Sequence, residues 1–239
     1  PDSFSYRNQL AVIDRFEDLL HITPVYDMSS GVLHFQVSAV TDLIALVAIL
    51  LFCTKMAIGE QKSGTLPILK ATRKGRLPLV SAKLTCTAVI SLLIVCVLWG
   101  TNLVYCGISF GLGVLTRPVQ SLNGFTTCAL KLSVGEYLVL YFLLKWGLYT
   151  LVGTLCLAAG AFWQESMPTW LTVGGFLGVG YILSQAISPI STWNILKFVN
   201  ISNLIFSNGW LSEYRNLNFF GYPVAVFSAS CVLILAIII

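Results

Sequence analysis

The sequence predicts an all-α fold, a polytopic bundle of transmembrane helices with five spans visible of six, and three observations carry that expectation. Of the 239 residues, 56% are hydrophobic and only 10% are charged, against about 25% charged in an ordinary soluble domain. The apolar residues gather in five stretches, 38–58, 83–110, 137–163, 169–188 and 221–239, each long enough to cross a bilayer, which takes about 20 helical residues. Seven of the fourteen Lys and Arg lie between Lys55 and Lys83, between the first two stretches. Such clustering marks a cytoplasmic loop rather than a nucleic-acid surface, so the net charge of +4 reads as a topology signal.

Taken in order, the chain opens with an external segment, 1–37. Within it "SFSYRNQLAVIDRFEDLLHI" places Tyr6, Leu10, Ile13, Phe16, Leu19 and Leu20 on a helical stripe with charges between them, which predicts an amphipathic helix lying outside. The membrane domain, 38–239, follows. If loop 59–82 is cytoplasmic, the first span enters from outside and the second returns there. Residues 111–136 are then external, and the tight turn "QESMP" (164–168) is internal, flanked by Trp163 and Trp170 at interfacial positions. Pro189 breaks the fourth span into an external segment, 189–220, where "STWNILKFVNISNLIF" suits one or two short interfacial or re-entrant helices. Five spans with an external start make an odd count. That predicts a further helix upstream of Pro1, a sixth span, and a C-terminus running on into the cytoplasm past Ile239.

Few residues offer chemistry. The seven cysteines (Cys53, Cys86, Cys96, Cys106, Cys128, Cys156, Cys231) sit mostly inside apolar runs with no C-x-x-C pair, so they read as small packing residues rather than metal ligands. His21 and His34 fall in the external segment without a catalytic partner nearby, and neither H-E-x-x-H nor G-x-S-x-G occurs. Charges at membrane depth are functional candidates because they are expensive there, and two qualify: Asp42 near the outer end of the first span and Lys145 in the third. They form a pair if the two helices adjoin; otherwise Lys145 snorkels toward water. Gly174 and Gly178 have G-x-x-x-G spacing, which suits close helix packing within the chain or across a dimer seam.

The stretch "EQKSGTLPILKATRKGRLPLVSAK" (60–83) places Leu66, Ile68 and Leu69 among small and polar residues, in a basic setting. A short amphipathic helix of this kind either lies on the lipid surface or docks into a groove of a soluble partner. "GEQKSGT" (59–65) has the G-x-x-x-x-G spacing of a phosphate loop, but Thr65 stands where Lys is required, so it cannot cradle a nucleotide.

The order E-x-x-x-G-T-L-x-x-L-x-A-T-x-x-x-R-x-x-L-x-x-A-K, from Glu60 to Lys83, resembles the first cytoplasmic loop of ABC-2 type permeases, the membrane subunits of a class of ABC exporters. The span order also looks like that family, and residues 118–138 resemble its segment between spans three and four. The resemblance implies that Glu60, Gly64, Thr65, Leu66, Leu69 and Lys70 belong to a coupling helix touching an ATPase, with Arg73 and Arg76 flanking it. It implies a multi-pass protein of the plasma membrane that catalyses nothing itself, with ATP and Mg on a partner ATPase subunit and a second permease subunit completing a homo- or heterodimer. Peptides, antibiotics, lipids and other amphiphiles all suit its path. The rival classes are an integral-membrane enzyme and an ATP-independent channel or structural membrane protein. The polar residues are too sparse for most hydrolytic chemistry, and a channel leaves the docking-like loop unexplained.

Overall fold

The structure, a computed structural model, describes residues 4–17, 19–27, 29–62, 76–188, 194–198, 200–207, 209–219 and 222–238. Helices dominate: α1 (Phe4–Glu17), α2 (Gly31–Gln36), α3 (Ala39–Lys62), α4 (Arg76–Phe110), α5 (Val134–Trp163), α6 (Ser166–Ala186), the short α7 (Asn194–Phe198), α8 (Ile201–Phe206) and α9 (Gly209–Ser212), and α10 (Val226–Ile238). Strands β1 (Asn216–Phe219) and β2 (Tyr222–Ala225) form an antiparallel hairpin with Asn216 opposite Ala225.

Among the described residues, three helical segments are long and apolar enough to cross a membrane: Gly31–Gly59, Pro78–Phe110 and Val134–Trp163. The other two expected spans differ for separate reasons. α6 has the length, at 21 residues, but Gly, Ser and Thr dilute its hydropathy. The last stretch does not begin as a helix, since Tyr222–Ala225 pairs with β1 and the helix starts only at Val226, leaving 13 helical residues. Pairing with β1 holds these four residues extended, and Pro223 adds to this by disfavouring helical geometry at Tyr222 before it.

The basic loop is also shorter than expected. α3 continues to Lys62, and α4 begins at Arg76 with Pro78 in its first turn, where a missing N–H costs nothing. Glu60 and Arg76 therefore stand on helix ends, whereas Gly64, Thr65, Leu66, Leu69, Lys70 and Arg73 lie outside the described residues.

α5 is the central column, with 56% of its most apolar window buried against 22% for α4. Ser133 opens it with a capping box: its hydroxyl accepts from the Glu136 N–H, and the Glu136 carboxylate accepts from the Ser133 N–H at 2.8 Å. α3 lies beside α5 in the same direction, because Asp42 meets Lys145, Thr54 meets Cys156, and Ala57 abuts Gly160 at a nearly constant sequence offset. α4 runs the opposite way, with Thr87 against Gly153, Ser91 against Thr150 and Trp99 against Tyr141. Gly153 permits the approach, since a Cβ there would lie 2.4 Å from Thr87 Cγ2. Buried Cys53 and Cys156 fill this seam as free thiols.

This register sorts the connections between the two ends of the bundle. At one end, the segment before α3, the α4–α5 connection and the α7–β2 region come together. Gly31 N–H donates to Gly111 O at 3.0 Å, Tyr214 N–H to Thr127 O at 3.0 Å, and the Phe16 and Tyr214 rings meet edge-on. At the other end lie Lys62, Arg76 and the α5–α6 turn, where Gln164 adopts a left-handed conformation (φ 60°). There Trp170 donates to Thr54 Oγ1 at 2.8 Å, while Trp163 packs edge-on against Phe162. α1 forms as expected, but of its stripe only Phe16 packs on the body, while Tyr6, Leu10 and Ile13 stay exposed; the helix stops at Glu17, before Leu19 and Leu20.

Candidate functional site

Counted from Gly31 and from Val134, Asp42 and Lys145 each lie about eleven residues into their helical columns, roughly 17 Å at helical rise. Parallel helices with equal depth bring the two together. Lys145 Nζ sits 2.8 Å from Asp42 Oδ1, with both side chains at most 4% exposed. Tyr149 donates its hydroxyl hydrogen bond to the same oxygen, and Trp99 Nε1 donates to the Tyr149 hydroxyl at 3.3 Å. Lys145 also donates to the Ile205 carbonyl at 2.5 Å, near the C-terminal end of α8. Its ammonium stands 4.8 Å from the Trp99 ring centroid and 5.4 Å from that of Tyr141. The ring faces offer partial negative charge, so they add to the carboxylate in compensating a desolvated cation.

Phe35 of α2 packs against the rings that flank this centre. Its ring lies 5.2 Å from Trp99 and 5.5 Å from Tyr141, and it is fully buried. Asp42 and Lys145 were legible as candidates, while Tyr149, Trp99 and the Ile205 carbonyl were not. Part of the signal was present: Tyr141, Lys145 and Tyr149 recur every four residues, on one helical face. Trp99 and Ile205 come from other elements, and only the folded chain connects them. Chemically, the ammonium is held by a carboxylate and a carbonyl, and the carboxylate by an ammonium and a phenol. That arrangement joins helices; it presents no activated nucleophile, and no group of three or more metal-ligating side chains occurs among the described residues.

Gly174 and Gly178 lie elsewhere. A Cβ built on either meets nothing within 4 Å among the described residues, so neither packs closely against any of them. Instead they line an apolar groove of about 450 Å³ between α3 and α6, with Leu43, Val47, Leu50 and Tyr181 on its walls.

A second polar cluster, unanticipated from sequence, binds the N-terminal segment to the α4–α5 connection. Asp27 Oδ1 accepts from the Ser29 N–H at 2.9 Å, and Oδ2 accepts from the Val114 N–H at 3.2 Å and pairs with Arg117 at 2.9 Å. Arg117 also donates to Ser29 Oγ at 3.1 Å. These backbone N–H groups, first Ser29 and then Val114, together with the Arg117 charge, hold the Asp27 carboxyl below its ordinary value. Gly113 makes the approach possible: its φ of +68° is left-handed, and a Cβ would lie 2.0 Å from Asp27 Oδ2. Nearby, Cys128 is buried and donates to Leu211 O at 3.3 Å; burial raises its thiol pKa.

Comparison with protein-family models, with curated proteins and with solved structures finds no match to this chain.

Proposed function

We propose that this chain is the permease subunit of an ABC-2 type exporter, which works as a dimer with two separate ATPase subunits. The observation that supports the reading is where the two helices flanking the coupling-like stretch end and begin. The helix ends that flank it, Lys62 of α3 and Arg76 of α4, lie at the opposite end of the bundle from the packed layer made by the N-terminal segment, the α4–α5 connection and the α7–β2 region. A docking element needs such a separate face. Leu66 and Leu69 would anchor in a groove of the ATPase, with Glu60, Gly64, Thr65 and Lys70 in the same element and Arg73 and Arg76 as flanking charges.

The α3–α6 groove, open among the described residues, supports the dimer. Its apolar walls and its glycines fit a second permease subunit, leaving a path for an amphiphilic substrate between the copies. ATP-driven closure of the ATPases would push on the coupling helices and rock the bundles between inward-open and outward-open states. ATP and Mg belong to the partner.

The test is Leu66→Ala with Leu69→Ala in protein correctly inserted in the membrane. Two buried anchors contribute about 2–4 kcal/mol of interface energy, on the order of 30- to 1,000-fold in affinity. The expected outcome is loss of the co-purifying ATPase and of transport-dependent ATP turnover. Full retention of both would return the stretch to an ordinary basic loop.

A further inference from the structure

α8 is bonded at its two ends to different parts of the bundle. At its N-terminal end, the Asn200 side chain donates to Gly180 O at 2.7 Å and Ser202 Oγ donates to Leu177 O at 2.7 Å, both on α6. Gly180 is the point of closest approach, because a Cβ there would lie 2.6 Å from Asn200 Oδ1 and 2.8 Å from Ser202 Oγ. At its C-terminal end, Ile205 O accepts from Lys145, which is paired with Asp42 on α3. At this end of α6, polar contacts therefore run through α8 and Lys145 to α3, while at its other end Trp170 bonds Thr54 of α3 directly; α3 and α6 are the two walls of the apolar groove. Phe206, the last residue of α8, lines that groove as well.

Helices sliding in lipid have no hydrophobic force to hold one spacing, so directional hydrogen bonds carry more of the decision. Of the links in this chain of contacts, the bond from Lys145 to Ile205 O is the one that α5 can release without breaking its own pair with Asp42.

We propose that Lys145 is a conformational latch, in which its bond to the Ile205 carbonyl fixes α8, and through α8 the C-terminal half of α6, so that the α3–α6 groove keeps its width there until that bond breaks. This deepens the permease reading and rests on it for the purpose of the motion, but the latch itself is a property of the single chain.

The experiment uses the full chain in nanodiscs, with the seven native cysteines replaced, spin-labelled at Val47→Cys and Gly178→Cys on opposite groove walls and diluted with unlabelled protein so that only intrachain distances register. Lys145→Met should move or broaden the distance distribution by roughly 2 Å or more, the scale on which packed helices slide. Asn200→Ala with Ser202→Ala releases the other end of α8 without touching a buried charge, and should produce a similar shift. The two combined should add little, because either break opens the same chain of contacts. An unchanged distribution in the Asn200/Ser202 variant would overturn the latch, as would full additivity of the two breaks. No ATPase is needed for this readout. A shifted distribution without a co-purifying ATPase refutes the permease reading alone, and an unshifted one with the ATPase present refutes the latch alone.

Discussion

Lys145 donates to Asp42 at 2.8 Å although 103 residues separate them in the chain. The pair ties the central helix α5 to α3, with Tyr149, Trp99 and Ile205 O completing the contacts of the two charges. Removing one partner strands the other in a dry site. Lys145→Met or Asp42→Asn should each destabilise the protein by about 3–5 kcal/mol. Asp42→Leu with Lys145→Met together should recover most of that loss, since no charge then remains buried. Denaturant unfolding in detergent, followed by tryptophan fluorescence, measures all three.

The Asp27 clasp should respond to pH in one direction. Its folded carboxyl is held below the ordinary aspartate value, so its contribution is fully present above about pH 3.9 and fades as pH falls through the lower folded value. Between pH 5 and 8 no change is expected from this group. Asp27→Asn should reproduce the acid effect at neutral pH as faster amide exchange at Ser29 and Val114. Unaltered exchange at both would show that the carboxylate holds nothing there.

The glycines separate into two classes. Gly153→Ala drives a methyl group into Thr87 and Cys53 and should cost about 1–3 kcal/mol. Gly174→Ala meets nothing within 4 Å and should leave unfolding unchanged or raise stability by up to about 1 kcal/mol, because alanine is the better helix former. Gly178→Leu should likewise spare the single chain yet abolish self-association if the groove is a dimer face. Sizing in detergent with a cross-linking arm reads the second effect.

Labelling tests the two ends of the bundle. Single cysteines at Ser63 and Asn123, in a background without the native seven, are expected to react with an impermeant maleimide from opposite faces of the membrane. Reaction from one face alone would overturn the arrangement of spans.

Cys128, retained as a single native cysteine, should resist a water-soluble maleimide at neutral pH in the folded protein and react once it is denatured. Its burial keeps the thiol protonated, and its bond to Leu211 O holds it in place under cover.

The sequence by itself determined the helical, membrane-type character of the chain, the three most apolar columns and the concentration of charge between two of them. Those properties are sums over neighbouring residues, and hydropathy reads such sums directly. Where a local sum was not enough, tertiary contacts decided: Tyr222–Ala225 falls inside the same hydrophobic run as the helix that follows it, but pairing with Asn216–Phe219 makes it a strand and delays α10. Asp42 and Lys145 stood out singly because charge is rare at membrane depth. Their meeting required equal depth on parallel helices, a register set by the connections at each end of the bundle. The same holds for Ile205, whose carbonyl has no sequence signature at all, and for Gly174 and Gly178, whose spacing announced close packing while the fold turned them toward an open groove. Side-chain type is written locally, but which surfaces face one another follows from the relative placement of whole helices.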